Sequence, residues 1–181
     1  MKKIVAITAL SLLATANAFA GDVGAEVRWG DSTNEQAFSF ADDFKSPVGV
    51  VRLGLEVETI NEQAEGGTVN TFTGNVGLPL SVGKLSVEPF VQAGAATVSF
   101  GDDIYLVGGG LKAEMPVWGP FSVGAEYRYR ESVRGPDLED QRATGFVRAN
   151  LGANWSAKAV FHNHFGDWND KQWGVGLSYR F

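Results

Sequence analysis

The chain has 181 residues and no cysteine, with 15 basic and 21 acidic side chains. An acidic balance argues against nucleic acid as a partner, because phosphates demand a basic surface; the lack of cysteine removes disulfides as the means of holding an exported domain together. Mean hydropathy near zero leaves room for a membrane protein built from strands, since only one face of such a strand has to be apolar.

Met1-Lys2-Lys3 is a short basic start, Ile4 to Ala16 is largely apolar, and Asn17-Ala-Phe-Ala20 ends in small residues before Gly21. That order of segments is a secretory signal peptide over residues 1–20, cut after Ala20. Its apolar run is too short to span a bilayer as a helix, and no later stretch approaches that length. The expected mature chain, 21–181, is one domain, and without Lys2 and Lys3 it sets 13 bases against 21 acids, a net of −8.

From Gly21 onward apolar and polar residues alternate with period two, the sign of strands with one greasy face. Val23, Ala25, Val27 and Trp29 alternate with Gly24, Glu26 and Arg28, and Asp31 to Asn34 is turn chemistry. Phe38, Phe40 and Phe44 suggest a second strand over 36–44, with Lys45-Ser46-Pro47 turning the chain. Val51 to Val57, with Arg52, Glu56 and Glu58 on its other face, precedes a polar loop at 61–67. Phe72 to Leu80 is followed by a tight turn at Ser81-Val-Gly-Lys84. Leu85 to Ala95 alternates against Glu88 and Gln92, and Pro89 predicts a bulge there.

After Gly101-Asp-Asp103, residues 105–115 oppose Lys112 and Glu114 to an apolar set, and 116–120 turns around Trp118. Phe121 to Tyr129 against Glu126, Arg128 and Arg130 is the cleanest alternation in the chain. Arg134 to Arg142 reads as a charged loop. Residues 145–151, with Phe146 and Arg148 on the polar side, and 155–165, with Lys158, His162 and His164, follow. The closing strand, 171–181, places Trp173, Val175, Leu177, Tyr179 and Phe181 on one face and Arg180 on the other.

Ten strands and no helix predict an all-β, antiparallel, up-and-down transmembrane barrel, with eight strands as the fallback if two hairpins merge. Even strand number and periplasmic termini put the turns at 45–47, 81–84, 116–120 and 153–155 on the periplasmic side. The connections at 31–35, 60–67, 100–103, 133–142 and 166–170 are then external. That sidedness sorts Trp29, Phe38, Phe100, Tyr105, Phe165, Trp168 and Trp173 to the outer rim, and Phe44, Trp118, Phe121, Trp155 and Phe181 to the inner one, as two aromatic girdles.

The inward face carries Glu26, Arg28, Arg52, Glu56, Glu58, Glu88, Lys112, Glu114, Glu126, Arg128, Arg130, Arg148, Lys158 and Arg180. The outward face carries almost no charge, as expected where a mid-membrane Arg or Lys costs about 2–4 kcal/mol. Such a lumen is either filled by a mutually neutralising ionic network or is a narrow polar channel in which Arg52, Arg128, Arg130 and Arg148 draw anions. Ten strands sit near the closed end of barrel sizes, and inward glycines (54, 94, 108, 110, 124, 152, 174 and 176) leave room for a thin water path.

Acidic residues of the external connections, among them Glu35, Glu65, Asp102, Asp140 and Asp170, are expected to keep the rim solvated, with no spacing of a dedicated calcium loop. His162 and His164 share a face near the outer rim; a metal site needs a third ligand that the sequence does not single out, and a catalytic base needs a nucleophile beside it. No metal, cofactor or catalytic residue is assigned.

The signal peptide, the alternating strands and the terminal Tyr179-Arg-Phe181 resemble the small outer-membrane β-barrel proteins of Gram-negative bacteria. Glu88-Pro-Phe-Val-Gln-Ala-Gly94 is similar to the "Pro-aromatic-x-x-x-Gly" strand start of the OmpA-like barrel group. Val27-Arg-Trp29 and Tyr127-Arg-Tyr-Arg130 are faintly similar to the oligogalacturonate-specific porins, which have more strands and longer chains. A lipid A deacylase's His-x-Ser is replaced by His162-Asn-His164. The resemblance implies a cell outer-membrane location and Phe181 as the signal read by the barrel-assembly machinery, with outer-membrane lipid and lipopolysaccharide as neighbours. The expected function is a narrow porin-like channel for small solutes, anions among them, or a structural surface barrel, and no enzyme; the alternative is a rim enzyme acting on lipid or peptide near His162 and His164.

Overall fold

The computed structural model describes residues 21–47, 49–62, 67–99, 103–167 and 169–181. The expected signal peptide, together with Phe100, Trp168, Glu65 and Asp102, lies outside the described residues. All secondary structure among the described residues is strand: β1 (Gly21–Gly30), β2 (Thr33–Ser46), β3 (Gly49–Glu62), β4 (Thr68–Gly77), β5 (Leu80–Val82), β6 (Leu85–Val98), β7 (Ile104–Trp118), β8 (Phe121–Arg134), β9 (Glu139–Asn150), β10 (Trp155–Gly166) and β11 (Lys171–Arg180).

Apart from β4 and β5, which both pair with β6, each strand pairs antiparallel with its sequence neighbours, and β1 pairs with β11 from Asp22↔Arg180 to Gly30↔Gln172, so the sheet closes on itself. The ten-strand expectation holds, because β5 is the end of the fourth strand and not a separate wall element. Val69↔Val98, Gly77↔Phe90 and Leu80↔Val87 keep one register along β6. The interruption falls at Leu78-Pro79, opposite Pro89, which has no N–H to give to the ladder.

Pro89 does not make the expected bulge: β6 and β7 stay in register from Ser86↔Glu114 to Ala96↔Ile104. Its carbonyl accepts from the Leu78 amide at 3.0 Å. A residue's N–H and C=O point the same way in a strand, so the proline's missing donor faces Leu78, whose carbonyl lacks its ladder bond. At two of the two-residue hairpins, Gly83 (φ 62°) and Gly119 (φ 53°) supply the positive φ that matches the strands' right-handed twist.

Period two sorts the side chains as expected. Val91, Val147, Val175 and Leu177 are exposed on the outer wall, whereas the buried set is mostly polar and charged, the inverse of a water-soluble domain. Exposed Trp29, Tyr105 and Trp173 band the end bearing the 31–32 and 167–170 connections (the loop end). Phe44, Trp118, Phe121 and Trp155 band the end bearing Gly21 and Phe181 (the terminal end). Trp173 meets Phe161 with ring centres 4.6 Å apart, and Trp155 meets Tyr179 at 5.0 Å.

Strands are longer at the loop end than the sequence reading drew them. The segment expected as a charged loop is strand up to Arg134 and again from Glu139, and Thr33 already belongs to β2.

Candidate functional site

The lumen has two storeys. Toward the loop end, five strands aim charged side chains at one point. Glu58 on β3 is 1% exposed; its carboxylate accepts from Arg142 at 2.9 Å, Arg130 at 3.1 Å, and Arg28 and Arg128 at 3.3 Å each. Arg28 also binds Glu26 and Glu35, and Arg130 binds Asp140 through Nε at 2.9 Å and Nη2 at 2.6 Å. The β8–β9 register sets Arg128 directly opposite Arg142, a repulsive pairing in isolation; Glu58, reaching across the lumen, lies between them. Several kcal/mol of desolvation per buried ion are offset only because each guanidinium meets more than one carboxylate.

Asp170 joins this storey from the last connection. It accepts the Thr33 hydroxyl, the Asp31 amide at 3.2 Å and the Lys171 amide at 3.0 Å, and Gln172 beside it is 0% exposed. An apolar cluster of Ala96, Ile104 and Leu106, packed with Val69, Val98 and Leu138, adds to the packing among the described residues of the loop end. The lumen is therefore stoppered there.

Glu35, Asp140 and Asp170, expected as solvated rim acids, are buried at 1%, 2% and 5% exposure. The signal that finds the first two is parity: Asp140 and Arg142 continue the inward face of Thr144, Phe146 and Arg148 on β9, and Glu35 sits opposite Arg28 in the β1–β2 register. Asp170 precedes β11, and only the tertiary closure against β1 and β2 brings it in.

His162 and His164 face the lumen, yet both are enclosed at 2% exposure and neither is open at the rim. His162 bonds Thr144 Oγ1 at 2.7 Å and Glu26 at 3.1 Å, and His164 lies 3.3 Å from Asp140. No cluster of His, Cys, Asp and Glu among the described residues has the arrangement of a metal site.

Toward the terminal end, the second storey is a cavity of about 470 Å³ with its mouth at Asp22, Asn154 and Arg180. Its charged lining is Arg28, Arg52, Lys112, Arg128, Arg142, Arg148, Lys158 and Arg180 against Asp22, Glu26, Glu56, Glu88 and Glu126, an excess of three cations. Arg52 binds Asp43 at 2.7 Å and Glu88 at 3.3 Å, and Arg148 binds Glu114 at 3.2 Å. Thirteen of the fourteen expected lumen residues line this cavity or build the network above it, Arg130 in the network alone and Arg180 at the mouth. The other, Glu114, is held by Ser122 at 2.6 Å. Arg180 is 68% exposed and bonds Asp22 at 3.0 Å, so it flanks the opening and does not fill the lumen.

The inward glycines do not leave a water path at every position. A Cβ on Gly110 would meet the Phe90 ring and one on Gly124 the Phe146 ring, so there the space belongs to aromatic side chains laid across the lumen floor.

No protein-family model matches the chain, and neither does any curated protein sequence. Solved structures do. The chain is similar to the NanC porin, with a TM-score of 0.53 at 12% identity over 90% of this chain and 100% of that one. It is also similar to the transport unit of the autotransporter AIDA-I from Escherichia coli, with a TM-score of 0.50 at 10% identity over 89% of each chain. The shared feature is the fold, that of outer-membrane β-barrels.

Proposed function

We propose that the chain is a porin-like protein of the bacterial outer membrane that admits small solutes, anions in preference, through its lumen. The carrying observation is the cavity lining: Asp43, Glu58 and Glu114, just behind it, neutralise Arg52, Arg142 and Arg148, but Lys112 on the lining makes no ion pair among the described residues. A narrow polar lumen with fixed cations attracts anions and repels cations before any contact is made. The uncharged outer wall between two aromatic bands supports the membrane location, with lipid and lipopolysaccharide as its neighbours. The Glu58 network closes the route at the loop end, so passage requires that network to part. Its closure favours a second reading, a structural barrel that conducts nothing.

Swelling of proteoliposomes in isotonic solutions separates the readings. The channel reading expects faster swelling in small organic anions than in neutral sugars of equal size, and faster still for Glu58→Gln. No swelling with either protein supports the structural barrel, and equal rates for anions and sugars remove the anion preference.

A further inference from the structure

Three cations of the cavity lining surround one ring that lies behind it. Arg148, Lys112 and Lys158 place their charged groups 5.7, 5.9 and 5.9 Å from the centre of Phe146. Phe146 is itself 7% exposed and lies over Gly124, where any side chain would displace it. Arg148 has Glu114 at 3.2 Å and Lys158 has Glu26 at 2.5 Å. Lys112 is different: among the described residues it makes no ion pair, and its contact is the ring face. Its cross-strand neighbours are Glu88 and Glu126; Glu88 is engaged by Arg52 and Glu126 by Arg142.

A second observation points the same way. Lys112, Arg148 and Lys158 all belong to the cavity lining, so the three charged groups that share the Phe146 ring also border one space. With Glu88 and Glu126 engaged elsewhere, a ligand that brings its own anionic oxygens gains more here than a neutral one.

We infer that the cavity is a binding site for a compact dianion, a dicarboxylate or a phosphate monoester, held at Lys112, Arg148 and Lys158 around Phe146. The inference rests on the anion-admitting reading and sharpens it: the lumen retains its solute at a defined station. A cavity of about 470 Å³ stoppered at one end takes a molecule of a few carbons and has no length for an extended polyanionic chain. Entry is from the terminal end, past Arg180 and Asp22.

Isothermal titration of the barrel refolded in detergent tests this without any membrane, so its result is independent of conduction. Succinate and glycerol phosphate are titrated separately at low salt, with glycerol as the neutral arm. Saturable binding of one or both anions is expected, and which of them binds identifies the source of the charge. Lys112→Gln should weaken it about tenfold, the size of one charge-assisted hydrogen bond, and Lys112→Arg should retain it. Folding of both variants is checked by the heat-dependent shift in electrophoretic mobility; losing an unpaired lysine leaves no carboxylate stranded, so both should fold. Wild-type affinity in folded Lys112→Gln, or glycerol binding as well as the anions, overturns the inference. A barrel that conducts anions and binds neither probe overturns the site alone, and one that binds and never conducts overturns the channel alone.

Discussion

Glu58 and Arg142 lie 84 residues apart in the chain and meet at 2.9 Å in the centre of the barrel. Three more guanidinium groups, those of Arg28, Arg128 and Arg130, lie within 3.3 Å of the same carboxylate. One anion on β3 thus holds together four cations from β1, β8 and β9.

Glu58→Gln should therefore cost more than any other single lumen substitution. Removing one partner of a buried ionic cluster leaves uncompensated charge and costs about 3–5 kcal/mol. The urea midpoint of the refolded barrel is the readout. A shift no larger than that of Asp22→Asn, whose exposed partner Arg180 makes a bond worth at most about 1 kcal/mol, would show that the cluster is not centred on Glu58.

Gly124→Ala should destabilise the barrel by about 1–3 kcal/mol, the usual cost of overpacking, since the added Cβ meets the Phe146 ring and the Ala113 carbonyl. Phe146→Leu in the same chain should recover part of the loss in thermal unfolding, because the smaller side chain frees the floor. Full additivity of the two substitutions would show that the ring is not what excludes the side chain.

The outer and inner faces of β11 should differ in how much a polar side chain costs them. Val175→Arg on the wall should cost about 2–4 kcal/mol in lipid, whereas Gly176→Ser, one residue on and facing the lumen, should cost less. Refolding yield into vesicles measures both. Equal losses would mean that the wall at Val175 does not face lipid.

Phe181 stacks 6.4 Å from Phe40 and 6.3 Å from Tyr179, and its amide bonds the Gly21 carbonyl at 3.1 Å. These contacts hold the end of the chain in place but are few. Removing Phe181 should lower insertion in cells strongly and refolding in detergent slightly, the outcome expected of a signal read by the assembly machinery. Equal losses in the two assays would assign it a structural role only.

The barrel was legible in the sequence because a lipid-facing wall imposes period two on every strand. Val123, Val147 and Val175 could be placed without knowing a single contact. The strand count survived Pro79 and Pro89, which break the ladder but not the register. The stopper was legible only in part. Arg28, Glu58, Arg128 and Arg130 fall on clear alternations, but Glu35, Asp140 and Arg142 sit among turn-like and charged residues, where composition resembles a loop. Their burial follows from strand length beyond the apolar band, which the outer face no longer reports once it becomes polar. The distinction between a paired and an unpaired lumen cation, which separates Lys158 from Lys112, depends on cross-strand geometry that no single strand contains.

The reversal potential of the protein in a planar bilayer under a potassium chloride gradient tests the central claim most directly. An anion-selective potential at low conductance with long closures is expected, and Glu58→Gln should shorten the closures without changing the sign. A cation-selective potential, or silence from both proteins, would contradict it.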